Sequence, residues 1–202
     1  MMSMSKRLFD VCVSSIGGLL VMPFFILITA IVFVADGRPV FFLQERVGYR
    51  GRRFFIYKFR TMVPNADHLG QPVTVGGDAR ITHVGHWLRK YKLDELPQLI
   101  NVLKGEMSLV GPRPEVPRFV SLYSSEQQRV LELIPGITDP ASIAFRDEAV
   151  LLAGYEDPER VYIERIMPEK IRLNLAYAAE AGVLKDMGVI LATLGVLWGK
   201  SA

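Results

Sequence analysis

The chain has 202 residues, of which 50% are hydrophobic, and its formal net charge is +3. This length predicts one domain, or one domain with an appendage. The single cysteine, Cys12, excludes an intrachain disulfide framework and is typical of proteins from a reducing compartment.

The first element is an uncharged apolar segment from Val11 to Ala35, which is long enough to cross the hydrocarbon core of a bilayer. A secretory signal fits poorly, because the apolar core of a signal spans roughly 7–15 residues. Pro23 lies near the middle and predicts a break. Lys6 and Arg7 precede the segment and an arginine cluster follows it, so both flanks favour the cytoplasmic side. We predict a helix-break-helix that enters one leaflet and returns; a single spanning helix stays open as the alternative.

Two alternating segments, 40–46 and 53–62, flank a pair of glycines and predict a β-hairpin. This hairpin concentrates positive charge in Arg46, Arg50, Arg52, Arg53, Lys58 and Arg60. On its second strand Lys58 and Arg60 share one face, which favours either phosphate binding or a solvated face.

Helical patterns follow the hairpin at 82–90, 94–105 and 125–133, with later helix starts at Asp157-Pro158 and Met167-Pro168. The apolar tail from Asp186 to Trp198 predicts a core helix or a helix on the membrane surface. The predicted fold class is α+β. We expect a mostly helical cytosolic domain with a small β-hairpin, residues 37–202, attached to a proline-broken re-entrant membrane helix, residues 1–36.

Adjacent carboxylates, Asp94 and Glu95, stand at the start of one of these helices. By itself this pair indicates capping, with Asp94 at the N-cap and Pro97 in a first turn whose amides have no helical partner. The alternative is phosphate chemistry, because Arg89 precedes the pair and Arg113 follows it in a Gly-Pro-Arg-Pro turn. Carboxylates that bind Mg²⁺ beside arginines that bind phosphate are what phosphoryl transfer requires.

Four motifs occur in order: KRLFD at 6–10, RVGYRGRRFFIYKFRTM at 46–62, DARITHVGHWLRKYKLDELPQLINVLKGEMSLVGPRPE at 78–115, and PGIT at 135–138. With the proline-bearing apolar segment, they make the chain resemble the bacterial sugar transferase family, and within it the small monotopic phosphoglycosyl transferases. The resemblance implies transfer of a sugar-1-phosphate from a UDP-sugar to polyprenyl phosphate, usually undecaprenyl phosphate. UMP is released, and the step begins glycan assembly at the cytosolic face of the bacterial inner membrane.

The resemblance also implies residue roles and partners. Asp94 would be the nucleophile that forms a covalent aspartyl phospho-sugar, and Asp94 and Glu95 would hold Mg²⁺. The substrate-binding residues implied are Arg60, Arg89, Arg113 and Asp186. The membrane anchor implied consists of Lys6, Arg7, Asp10 and Pro23. The expected partners are the two substrates and membrane phospholipid, with no nucleic acid; a homodimer stays open.

Two alternatives to this mechanism stay open from the residues. A membrane-surface scaffold without activity would explain the anchor and the arginines, but it would leave Asp94 and Glu95 between Arg89 and Arg113 without a role. Direct transfer in a ternary complex would replace the covalent intermediate.

Overall fold

The computed structural model describes residues 3–66, 69 and 75–198. Its helices are α1 (Met4–Asp36), α2 (His83–Lys90), α3 (Leu99–Lys104), α4 (Pro117–Val120), α5 (Pro140–Ala144), α6 (Glu148–Ala153), α7 (Pro158–Val161), α8 (Met167–Ala178) and α9 (Val183–Trp198). Its strands are β1 (Phe41–Val47), β2 (Arg53–Phe59), β3 (Ser108–Val110) and β4 (Gly136–Thr138). The α+β class is confirmed, since a mostly helical body carries one small antiparallel hairpin.

Helix α1 is continuous through Pro23, and this differs from the two helices predicted on either side of a break. It starts at the N-cap Ser3, whose hydroxyl accepts a hydrogen bond from the Lys6 amide, and it ends at Gly37. Proline removes one backbone donor, but long apolar helices tolerate this loss when the rest of the ladder is kept. By length and composition α1 is able to cross a membrane.

Both ends of α1 pack against the same folded body. Asp10 and Ser14 are buried near its start, and Ile28 and Val32 are buried near its end. None of residues 15–27, all of which the structure describes, is buried. Most residues from 15 to 24 are exposed, with apolar side chains such as Leu19, Leu20 and Phe24 among them, whereas Phe25 contacts the ring of Phe59 on β2.

The hairpin prediction is confirmed, with β1 and β2 antiparallel and Phe41 opposite Phe59. The Phe59 ring contacts the rings of Phe25 and Phe41 at 5.0 and 5.4 Å, so the hairpin packs on the C-terminal part of α1. Ile56 on β2 is buried in a cluster with Val102 of α3 and Met107. The next residue on that face, Lys58, consequently points toward the acid pair rather than to open solvent.

The capping role predicted for Asp94 is wrong. A 3-10 helix, Leu93–Gln98, precedes α3, and Asp94 lies inside it instead of at its N-cap. Lys92 precedes this 3-10 helix with a φ of 54°, and Asp94 Oδ1 is buried without a hydrogen-bond partner in the described part of the chain. The tight first turns, which include Pro97, direct the carboxylate away from the helix amides.

Strands β3 and β4 form a parallel pair that the sequence did not predict, since each has only three residues. Backbone bonds run from Gly111 N to Thr138 O at 3.0 Å and from Gly136 N to Pro112 O at 2.9 Å. A Cβ at Gly136 would lie 2.1 Å from Gly111 N, so only glycine permits this approach. The pairing places the turn that holds Arg113 beside the start of α5.

The C-terminal half confirms both predicted proline starts. Helix α7 begins at Pro158, and the Asp157 carboxylate accepts a hydrogen bond from Arg160 N at 3.0 Å. Helix α8 begins at Met167 after a π-helical turn and packs on α5. Helix α9 exposes large apolar side chains at helical spacing: Leu184, Met187, Leu191 and Leu194.

Candidate active site

A cavity of about 1230 Å³ lies between the hairpin, the 3-10 helix that carries the acid pair, and the turn that follows β3. Five of the predicted catalytic and substrate-binding residues line this cavity: Arg60, Arg89, Asp94, Glu95 and Arg113. Lys58 lines it as well. The structure thus brings together side chains from four separate segments, and the chain folds so that its acid pair faces several cations.

Glu95 is bound on both carboxylate oxygens. Lys58 Nζ donates to Oε1 at 3.0 Å, Arg113 Nη1 donates to Oε2 at 2.9 Å, and Arg113 Nη2 also donates to Oε1. Burial alone would raise the pKa of Glu95, but Arg113 and Lys58 hold that pKa well below its ordinary value. Burial in turn lowers the pKa of Lys58 to about 8. Glu95 is therefore an ionised carboxylate that fixes two cations at the cavity wall.

Asp94 differs from its neighbour in having an unpaired oxygen. The residue is only 6% exposed, and Oδ1 has no hydrogen-bond partner among the described residues. Burial and the adjacent Glu95 charge raise the pKa of Asp94, while Lys58 and Arg89 act in the opposite direction. Burying a carboxylate oxygen without a hydrogen-bond partner costs free energy of folding. Of the two acids, Asp94 is therefore the one whose oxygen is available to react with a ligand.

Arg60 and Arg89 form no ion pair within the described ranges. Arg60 Nη2 donates to the carbonyls of Asp36 and Gly37 at the end of α1, while its Nε and Nη1 are buried without partners there. Arg89 Nε donates to Thr61 Oγ1 at 2.8 Å, and burial lowers its pKa. The positive charge of these two residues is available to an anion in the cavity.

A Mg²⁺ ion commonly takes one or two carboxylates and completes its shell with phosphate oxygens and water. No group of three or more His, Cys, Asp or Glu side chains suited to a metal occurs in the described part of the chain. Asp94 fits as a ligand, because its Oδ1 has no partner there. Glu95 does not fit in this arrangement, because Lys58 and Arg113 occupy both of its oxygens.

Asp186 is not brought to the acid pair and does not line the cavity. Its carboxylate is fully buried and accepts hydrogen bonds from Lys6 Nζ and the Tyr177 hydroxyl. Lys6 Nζ also donates to Val110 O at 3.1 Å. These contacts join the start of α1 to α8, α9 and β3, so here Asp186 and Lys6 are structural partners.

Two other residues expected at the lipid headgroups also contact protein. Arg7 donates to Val102 O at 2.6 Å and to Leu103 O at 2.9 Å, where the last carbonyls of α3 carry partial negative charge. Asp10 Oδ1 accepts from Leu109 N at 3.2 Å. These side chains hold α1 to the folded body, whereas Pro23 is exposed in its middle.

Two residues that position Arg113 were missed by the sequence reasoning. Asp139 Oδ2 accepts from the Arg113 amide at 2.8 Å, and Arg46 Nη1 donates to Pro114 O at 2.9 Å. The pairs are separated by 26 and 68 residues, so no local spacing pattern connects them. The only signals were the position of Asp139 directly after PGIT and of Arg46 in the basic hairpin.

Comparison with known proteins identifies the family of this chain. A family model described as "Bacterial sugar transferase" matches residues 1–200. The chain is 40% identical over 160 residues to "Exopolysaccharide production protein ExoY" of Rhizobium meliloti (strain 1021), covering 72% of this chain and 71% of that protein. It is 46% identical over 143 residues to "Uncharacterized sugar transferase EpsL" of Bacillus subtilis (strain 168), covering 70% of this chain and 69% of that protein. It is 35% identical over 205 residues to "UDP-glucose:undecaprenyl-phosphate glucose-1-phosphate transferase" of Xanthomonas campestris pv. campestris, covering 98% of this chain and 40% of that protein. The chain therefore belongs to the bacterial sugar transferase family.

Proposed function

We propose that this protein transfers a sugar-1-phosphate from a UDP-sugar to undecaprenyl or another polyprenyl phosphate and releases UMP. The observation that carries the proposal is the buried Asp94 oxygen that has no hydrogen-bond partner among the described residues. It lies in a cavity that also contains Arg60 and Arg89, neither of which forms an ion pair in that part of the chain. The names of the Xanthomonas relative and of "UDP-N-acetylgalactosamine-undecaprenyl-phosphate N-acetylgalactosaminephosphotransferase" of Aeromonas hydrophila support the same reaction class.

In the first step, a carboxylate oxygen of Asp94 attacks the phosphorus that bears the sugar. The new O–P bond forms as the diphosphate P–O bond breaks, and UMP leaves with the bonding electrons. In the second step, an oxygen of the lipid phosphate attacks the same phosphorus, and the Asp94 carboxylate leaves. Each step exchanges one O–P bond for another without oxidation or reduction, so the course is ping-pong.

The surrounding cations suit this chemistry, because both substrates and the nucleophile are anionic and repel one another. Arg60 and Arg89, whose charges are not paired in the described part of the chain, would bind phosphate oxygens and reduce this repulsion. Glu95 would act as a positioning residue, because its low pKa keeps it ionised and bound to Lys58 and Arg113. Mg²⁺, held by Asp94 and substrate phosphate oxygens, would supply further charge neutralisation when bound.

The membrane arrangement that we propose places the middle of α1 in one leaflet and the cavity at the cytosolic face. Support comes from the burial of Asp10 and Ser14 at one end of α1 and of Ile28 and Val32 at the other. A helix whose two ends pack on one folded body does not place them on opposite sides of a bilayer. The exposed apolar face of α9 would contact phospholipid as well.

The test is UMP release by the purified protein with a panel of UDP-sugars, undecaprenyl phosphate and Mg²⁺. We expect turnover with at least one donor and its loss in Asp94→Asn. No turnover across a broad panel would instead favour the membrane-surface scaffold.

The covalent route has a separate test. Donor alone should release one equivalent of UMP and leave a phospho-sugar on Asp94 that mass spectrometry detects. A protein that turns over with both substrates but releases no UMP from donor alone would point to direct transfer in a ternary complex.

A further inference from the structure

The unpaired buried polar atoms that line the cavity fall into two chemical groups. One group is charged and belongs to Asp94 and Arg60, at the end already assigned to phosphate chemistry. The other group is neutral: Ser142 Oγ on α5 and Asn174 Oδ1 on α8. Buried polar atoms nearly always have a partner in native proteins, so the neutral pair also needs an explanation.

Asn174 is the stronger of the two signals. It is only 4% exposed, and its amide oxygen has no partner in the described part of the chain. Helix α8 packs directly on α5, which carries Ser142, so both side chains belong to one wall of the cavity. Turning either oxygen toward a ligand breaks no hydrogen bond to a described residue, because neither oxygen makes one within 3–66, 69 and 75–198.

A direct chain of contacts links this wall to the acid pair. Asp139 Oδ1 accepts from Ser142 N at 2.6 Å, and Asp139 Oδ2 accepts from Arg113 N at 2.8 Å. Arg113 in turn binds Glu95 through two guanidinium nitrogens. The neutral pair is therefore linked to the phosphate end through consecutive contacts, and both line the same cavity.

We propose that Asn174 and Ser142 bind an uncharged end of the UDP-sugar, an assignment that rests on the function proposed above. A side-chain amide offers an acceptor next to two donors, and a hydroxyl offers both functions. The matching ligand group presents a hydrogen-bond donor beside an acceptor. Two parts of the donor substrate have this chemistry: the imide edge of uracil, and the hydroxyl or acetamido groups of the sugar.

The experiment measures equilibrium binding of UDP-sugar and of UMP by calorimetry, with the full chain in detergent and in an Asp94→Asn background that prevents donor consumption. The variants are Asn174→Leu, which keeps the side-chain volume, and Ser142→Ala. The control is Ser14→Ala, which removes another unpaired buried hydroxyl outside the cavity. The melting temperature is recorded for all of them.

Each cavity variant should bind UDP-sugar about three- to tenfold more weakly, the effect of losing one hydrogen bond. The control should bind normally, and Asn174→Leu should melt no lower than the parent, because no protein hydrogen bond is lost. If UMP binding weakens by the same factor, the pair contacts uracil. If UMP binding is unchanged while UDP-sugar binding weakens, the pair contacts the sugar; both outcomes support the subsite.

Unchanged UDP-sugar binding in both cavity variants would overturn the assignment, and so would a large fall in the melting temperature of Asn174→Leu with normal binding. Turnover by the protein without the Asp94 substitution separates the two proposals. If that protein releases UMP while the cavity variants bind normally, only the subsite assignment fails. If it neither turns over nor binds UDP-sugar, both proposals fail.

Discussion

Replacement of Glu95 by glutamine tests whether this residue holds the cationic wall of the site. Glu95 accepts hydrogen bonds from Lys58 Nζ and from two nitrogens of Arg113. Glutamine keeps the shape but removes the charge to which both cations are bonded, leaving only the weaker effects of Asp94 and Asp139. Removing one partner of a buried ion pair costs about 3–5 kcal/mol. Because the Arg113 side chain is 31% exposed and water can solvate it in part, we expect a loss near 3 kcal/mol, the lower end of that range.

For a chain of this size, about 1 kcal/mol corresponds to about 2–4 °C in melting temperature, so Glu95→Gln should melt about 6–12 °C lower. The assay is thermal unfolding in detergent, with and without pyrophosphate, which should stabilise the variant more than the parent because two cations have been freed. Glu169→Gln is the matched control, since Glu169 pairs with Arg172 on the surface and should contribute little. A Glu95→Gln variant that melts with the parent would refute this account of the ion pairs.

Three further predictions follow from the same structure. Asp94→Asn should lower UMP release by about a thousandfold or more. The melting temperature of Asp94→Asn at neutral pH should not fall. The pKa of Asp94 is raised in the folded protein, so ionisation of this carboxyl group opposes folding once the pH exceeds its ordinary pKa. UMP release near the parent level in this variant would exclude Asp94 as the nucleophile. Gly136→Ala should lower the free energy of unfolding by about 3 kcal/mol, since the new Cβ would lie 2.1 Å from Gly111 N. A parent-like free energy of unfolding in chemical denaturation would contradict this close approach. Lys6→Met should lower the free energy of unfolding by about 3 kcal/mol, because it leaves the buried Asp186 without its cation. An unchanged melting temperature would contradict a stabilising role of this ion pair.

Each of these variants has a matched control on the surface or in open space. Asp147→Asn removes an exposed carboxylate and should leave UMP release unchanged. Gly154→Ala places a Cβ no closer than 3.7 Å to a neighbour and should be tolerated. Lys185→Met removes an exposed ion pair with Glu180 and should have little effect on unfolding.

Features that depend on neighbouring residues could be predicted from the sequence. Strand alternation around glycines predicted the hairpin, and proline predicted the starts of α7 and α8. The uncharged run at 11–35 predicted apolar helix, but with a break at Pro23 that the continuous α1 does not have. The long DELPQL to GPRP motif pointed to the family that the comparisons then showed. Hydrophobic periodicity, turn residues and motif spacing act over a few residues, so they are visible in a single chain.

The tertiary structure decided which polar groups meet. Asp94 fits a local capping pattern in the sequence, yet in the fold its Oδ1 is left without a described partner. Glu95 receives cations 37 and 18 residues away, and Asp186 receives Lys6 from 180 residues away instead of entering the cavity. Ion pairs and unpaired buried atoms depend on how distant segments pack, and no local pattern encodes that packing. The sequence by itself thus determined the hairpin, the proline-marked helix starts and the family, whereas only the fold decided which carboxylate oxygen remains available.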